Sequence, residues 1–209
     1  MEEDLSVCVT YQSHSCFEVK DIDHTLLTDP FFGKENPYAP RYAGKPDIVL
    51  VTHEHFDHSG AEQFNAIVVA PPTLTGKFKK MIVMEHGETR LVEGVRVTMI
   101  GASHHQSKYP AGYVFELGGG VFAHLGDTYL DGVQSLENID VLFIPIGGFF
   151  TMNIEEALDA LDIINPDIAI PMHYDTFSQI KTDPQLFKQL AENAGHHVTV
   201  PSIGGTTTF

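Results

Sequence analysis

Residues 53–58, His-Glu-His-Phe-Asp-His, place four candidate metal ligands, His53, His55, Asp57 and His58, within six positions. Neutral imidazoles and ionised carboxylates are the groups that zinc and other divalent cations take as ligands. The apolar run Ile48 to Val51 leads into the stretch, and Ser59-Gly60 follows it, where a helix could start. This is the pattern of a buried strand emptying into a loop. On an extended chain His53 and His55 share one face, because side chains alternate with period two. Glu54 faces the other way and is expected to make supporting or capping bonds. Asp57 and His58 come after the chain has turned and could face a second ion. Imidazoles and a carboxylate crowded together are costly without partners, so the stretch reads as a metal-binding loop.

Three further places share one grammar, an apolar run followed by a coordinating residue. They are His104 or His105 after Val95–Ile100, Asp127 after Val121–Ala123, and His173 after Ile168–Ile170. Strand ends of a packed sheet can converge on one edge and bring distant residues into one shell. The order His-x-His-x-Asp-His, His, Asp, His resembles that of the metallo-β-lactamase superfamily over nearly the whole chain. More narrowly, the chain is similar to a group of metal-dependent hydrolases related to ascorbate-6-phosphate lactonase. That likeness also rests on His14-Ser-Cys-Phe17, Asp29-Pro30, Gly126-Asp127-Thr128, Pro145-Ile-Gly-Gly148, Phe150-Thr-Met152 and Pro171-Met-His-Tyr174.

The resemblance implies an α/β fold, a four-layer αβ/βα sandwich with the metal site at one edge between two sheets. It implies that His53, His55 and His104 hold one cation, that Asp57, His58 and His173 hold another, and that Asp127 bridges them. The family pattern places Ala two residues before the ligand, and Ala102 therefore favours His104 over His105. His24, His86, His124, His196 and His197 fall outside the pattern and are expected to be structural.

The implied cofactors are two divalent metal ions, zinc first, with manganese, iron or nickel compatible with the same donors. Two such ions ~3.5–4 Å apart can share a hydroxide at neutral pH. The expected reaction is hydrolysis of a carbonyl (lactone, ester or amide) or phosphoester bond in a small molecule, anionic substrates included, with the oxyanion stabilised by the metals. Asp57 could orient the nucleophile, and His14 or Tyr174 could donate a proton to the leaving group. His14 reads equally as a plain turn residue. No basic residue near these motifs would obviously grip a phosphate. Competing readings are a phosphodiesterase or nuclease of the same fold, an oxidoreductase, and a metal-dependent sensor or scaffold without turnover. Flavodiiron-type relatives carry Glu where this chain has His55, which disfavours the redox reading.

With 209 residues the chain suits a single domain, 1–209. A hydrophobic fraction of 43% and a charged fraction of 19% are ordinary for a soluble globular protein. The formal net charge of −16 would repel polyphosphate backbones. A small-molecule substrate is therefore expected, and no nucleic acid. The acidic start, Met1 to Asp4, is unlike a signal peptide, and no apolar run has the roughly 18 residues of a membrane span. A cytoplasmic location is the default, a homo-oligomer is left open, and Cys8 and Cys16 are expected as separate reduced thiols.

The elements that must position these residues are strands first, then strands alternating with helices. Strands are expected at Leu5–Thr10, Phe17–Ile22, Val95–Ile100, Gly112–Leu117, Val121–His124, Asp140–Pro145, Ile168–Ile170 and Val198–Val200. Hairpin turns are read at Glu93-Gly94 and Gly118–Gly120. Short helices are read at Ala61–Ala66 and Thr73–Lys80. A longer one is capped by Asn153 and stopped by Pro166, and a last one runs from Asp183-Pro184 to Gly195. Residues 31–46, rich in Pro, Gly and aromatics, form a long loop. It is either a lid or a surface loop pinned by its own rings. This loop and the segment around Phe149-Phe150 are expected to wall the pocket.

Overall fold

A computed structural model describes residues 6–209. The start of the first expected strand at Leu5 and the acidic stretch before it lie outside the described residues. Strands β1 (Cys8–Ser13), β2 (Cys16–Lys20), β3 (Thr25–Thr28), β4 (Ile48–Leu50), β5 (Ile67–Ala70), β6 (Met81–Val83) and β13 (Thr206–Thr208) form one sheet. Their order is β13-β1-β2-β3-β4-β5-β6. Strands β7 (Thr89–Val92), β8 (Val95–Gly101), β9 (Ala111–Leu117), β10 (Gly120–His124), β11 (Val141–Pro145) and β12 (Ile168–Met172) form the other, ordered β12-β11-β10-β9-β8-β7.

Both sheets are mixed. β3 to β6 run parallel, as do β10 to β12, and the remaining neighbours are antiparallel. This topology sends the C-terminal ends of β1, β3 and β4 to one edge of the first sheet. It sends those of β8, β10, β11 and β12 to one edge of the second. Every loop carrying a candidate ligand leaves one of these strands.

The sheets face each other across Tyr11, Phe17, Leu26, Leu50, Tyr113, Phe115 and Phe143, all buried. Burying aromatic and branched side chains on this scale is the main force joining the two layers. Ring pairs Phe17–Phe143 at 4.2 Å and Phe115–Phe122 at 5.3 Å interleave within this core. Helices α1 (Ile154–Ile164) and α2 (Pro184–Ala194) cover the outer face of the second sheet. They bury Ala157, Leu161, Ile164, Phe187 and Ala191 against Leu142 and Ile144. The α1 start is a full capping box, Asn153 accepting from the Glu156 N–H and Glu156 accepting from the Asn153 N–H. Its end at Asn165 takes a left-handed conformation before Pro166.

The fold is the expected α/β sandwich, with a thin outer layer on the first sheet. The expected helices at 61–66 and 73–80 are only single 3-10 turns, Ala61–Gln63 and Pro72–Leu74. Segments this short cannot recover the cost of nucleating an α-helix, and Pro71, Pro72 and Gly76 (φ +82°) break the second one. The expected strand 198–200 is a lone bridge from Val198 to Ala169, and the closing strand is β13 instead. Three threonines without an apolar partner gave little sign of it. Cys8 and Cys16 are free thiols.

Candidate metal centre

His14 sits in the β1–β2 turn, residues 53–58 follow β4, His104 follows β8, Asp127 follows β10, and His173 follows β12. The edge identified above therefore collects all of them. Two groups form, with their donor atoms within 4.8 Å of one another: His53, His55, His104 and Asp127, and beside it His14, Asp57, His58 and His173. Of the two adjacent histidines, His104 enters the cluster and is buried. His105 is exposed and stacks on Tyr129 at 5.0 Å.

In the first group His53 Nε2 lies 3.0 Å from His55 Nδ1, and His104 Nε2 lies 3.4 Å from the same atom. Asp127 Oδ2 stands 3.8 Å from His53 Nε2 and 3.7 Å from His104 Nε2. Four donors around one zinc at ~2.0–2.1 Å are separated by about 3.3 Å, so this spacing fits a cation. In the second group Asp127 Oδ1 lies 3.4 Å from His58 Nε2, and Asp127 Oδ2 lies 3.2 Å from His173 Nε2. Asp127 thus touches both groups.

The far nitrogens are held from outside. His53 Nδ1 meets Thr52 Oγ1 at 3.0 Å, and that hydroxyl donates to Asp29 Oδ2 at 2.7 Å. His58 Nδ1 meets the same Asp29 oxygen at 2.8 Å. His55 Nε2 and His104 Nδ1 reach the carbonyls of Gln106 and Phe150 at 3.2 and 3.1 Å. These partners fix the tautomers, so that lone pairs of the facing nitrogens point into the site. Buried atoms without a hydrogen-bond partner include His14 Nε2, His58 Nε2 and Asp127 Oδ1. An unpaired buried polar atom costs ~1–3 kcal/mol, and a cation between them removes that cost. The residues present fit metal.

Charge tells the same story. Burial alone would lower the His58 pKa, yet Asp127, Asp29 and Asp57 around it raise it well above the ordinary histidine value. Burial would likewise raise Asp127, but His173 and His58 hold it well below the usual carboxylate range. Asp57 is also held low, its burial outweighed by His58 and His14. His53 and His104 are pushed down, chiefly by burial, and remain the neutral imidazoles that ligation needs.

Asp57 lines a cavity of about 390 Å³ together with His55, His104, Asp127 and His173. Its remaining walls are Phe56, Phe150, Phe177, Gln106 and Gln179. Phe150 was expected there, but Phe149 points outward at 70% exposure. The 31–46 loop does not wall the cavity. Phe32 and Tyr42 stack on each other and meet Phe64 edge-on, and the Tyr42 hydroxyl donates to Glu18 at 2.6 Å. The loop is pinned against the outside of the first sheet, and only Phe31 reaches the site, its ring 5.4 Å from His14.

The two expected proton donors are placed differently from that expectation. His14 is fully buried behind Asp57, its Nε2 3.4 Å from Asp57 Oδ2 and its Nδ1 2.5 Å from Thr176 Oγ1. Burial and neighbouring His173 lower its pKa to about 4. Tyr174 faces away, into a second cavity with Tyr11, Tyr38 and Lys181. The reason is local: successive side chains on extended chain diverge, and His173 (φ +56°) and Asp175 (φ +62°) twist the segment further. The placement does not support Tyr174 as a proton donor.

Other residues behave as expected. Glu54 accepts from the Lys108 N–H at 2.8 Å and the Ser107 hydroxyl at 3.0 Å, tying the 53–58 loop to the 104–108 loop. His124 is buried and bonded to the Ser15 carbonyl at 2.8 Å, and His24, His86 and His196 bond outside the site. Asp29, Thr52, Thr176 and Phe177 were not foreseen as site residues. Asp29-Pro30 was legible as a turn, and Asp29 adopts positive φ (+36°).

A family model described as a beta-lactamase superfamily domain matches residues 8–173. A UPF0173 metal-dependent hydrolase of Thermoplasma acidophilum is 36% identical, with 93% of this chain and 95% of that protein covered. One from Salinibacter ruber is 34% identical, with 96% and 99% covered. The solved structure of Igni18, a metallo hydrolase from the archaeon Ignicoccus hospitalis, superposes with a TM-score of 0.87 at 31% identity, covering 98% of both chains.

Proposed function

The chain belongs to the beta-lactamase superfamily as a metal-dependent hydrolase, and we propose that it works with two divalent cations sharing Asp127. Asp127 carries this reading: its two carboxylate oxygens lie 3.2–3.8 Å from imidazole nitrogens of both groups. His53, His55 and His104 would hold one cation. Asp57, His58 and His173 would hold the other, with His14 alongside. Cations held there would supply the charge that lowers the pKa of water toward neutrality and offsets a developing oxyanion.

Asp57 is the residue with a second task. It is ionised, it faces the cavity, and a carboxylate oxygen can accept a hydrogen bond from an attacking water and aim it. His14 Nε2 stands 3.4 Å behind Asp57 Oδ2, and Thr176 Oγ1 fixes the His14 ring through Nδ1. Phe56, Phe150 and Phe177 give the reacting bond apolar surroundings on three sides. The bond broken is a carbonyl ester, lactone or amide, or a phosphoester.

Hydrolysis of 4-nitrophenyl esters and of bis(4-nitrophenyl) phosphate, followed before and after chelation, tests this reading. Turnover should vanish on metal removal and return when zinc or manganese is added back. A rate that survives complete metal removal would overturn it.

A further inference from the structure

Resting on the hydrolase reading, we infer that the substrate is an uncharged acyl compound, an ester or lactone, bearing an apolar or aromatic arm, and not a phosphorylated one. The cavity supplies three phenyl rings and two carboxamides as walls, and among the described residues no Lys or Arg lines it. Phosphate recognition uses Arg or Lys, often bidentate, because a dianion needs charge as well as hydrogen bonds. Among the described residues no Lys or Arg of the cavity wall adds to the charge that the cations themselves would supply. The net charge of −16 further disfavours an approaching anion.

The rings are arranged as a surface. Phe31, Phe56 and Phe177 meet one another with centroids 5.7, 6.0 and 6.3 Å apart. Phe56 stands between two candidate ligands in sequence yet is 61% exposed. A large aromatic left in solvent beside a reactive centre gains by covering an apolar group of a ligand. Gln106 and Gln179 offer neutral donors and acceptors to a carbonyl or hydroxyl. Phe150 also lines the cavity, and its backbone is held where its carbonyl meets His104 Nδ1.

The experiment uses the metal-loaded protein and 4-nitrophenyl acetate, butyrate and 3-phenylpropionate, which share one leaving group. We expect kcat/KM to rise roughly tenfold or more along that series, chiefly through KM. Phe150→Ala and Phe56→Ala should each flatten the rise along the series. Calorimetric binding of 4-phenylbutan-2-one should be tighter than that of phenyl phosphate. Tighter binding of phenyl phosphate, or turnover of bis(4-nitrophenyl) phosphate with none of the esters, would overturn the inference while leaving the hydrolase standing. Absence of turnover with every compound would overturn the hydrolase reading itself. An ester series without a rise would overturn the inference alone.

Discussion

Asp29 Oδ2 lies 2.8 Å from His58 Nδ1, and both side chains are completely buried. The same carboxylate accepts from the Thr52 N–H at 2.8 Å and the Thr52 hydroxyl at 2.7 Å. One carboxylate outside the candidate ligand set therefore orients two of its histidines, His58 directly and His53 through Thr52. Asp29→Asn keeps the shape but removes the charge. It should weaken metal retention roughly 10–100-fold, read by chelator competition, while wild-type retention would remove the orienting role.

Tyr174 belongs to the second cavity. Burial raises its hydroxyl to about 12, so it stays a neutral phenol across the working range. Tyr174→Phe should leave kcat within about twofold, whereas loss of a general acid would cost roughly 100-fold or more. Steady-state kinetics on the ester series separates the two outcomes.

Helix α1 lies on the far side of the second sheet and gives a stability control. Asn153→Ala removes one half of its capping box. The cost should be ~1 kcal/mol, a fall of roughly 2–4 °C in Tm for a chain of this size. Unchanged metal content and kcat should accompany it, and a calorimetric scan with elemental analysis checks both.

Metal should stabilise the fold as well as activate it, because its candidate ligands leave four different strands and one bound cation would tie both sheets together. At free metal about 100-fold above Kd the gain is ~2.7 kcal/mol per site. Chelation should lower Tm by roughly 5–10 °C for one such site. Equal melting with and without metal would mean that the folded chain does not bind the cation in preference to the unfolded one.

The fold and the clustering of the candidate ligands were legible because their signals are local. An apolar run ending in His or Asp marks a strand exit, and four such exits converge once strand direction is known. The second-rank residues carry no such mark. Asp29 reads as a turn, Thr176 as a loop hydroxyl, and Phe177 as one aromatic among 14 phenylalanines. Their importance lies in contacts remote in sequence, 29 positions for Asp29 with His58 and 162 for His14 with Thr176. Phe56 could have been found, since an aromatic between two ligands must point away from them. The 31–46 loop misled because its aromatics signal packing without saying on which side of the sheet. Strand β13 escaped because Thr206, Thr207 and Thr208 have no apolar alternation.

Elemental analysis of wild-type protein and Asp127→Asn, both purified without chelator or nickel resin, tests the shared-carboxylate centre most directly. Close to two equivalents of divalent metal per wild-type chain, falling to one or fewer in Asp127→Asn together with lost turnover, is the predicted result. Two equivalents and full activity in the variant would contradict it.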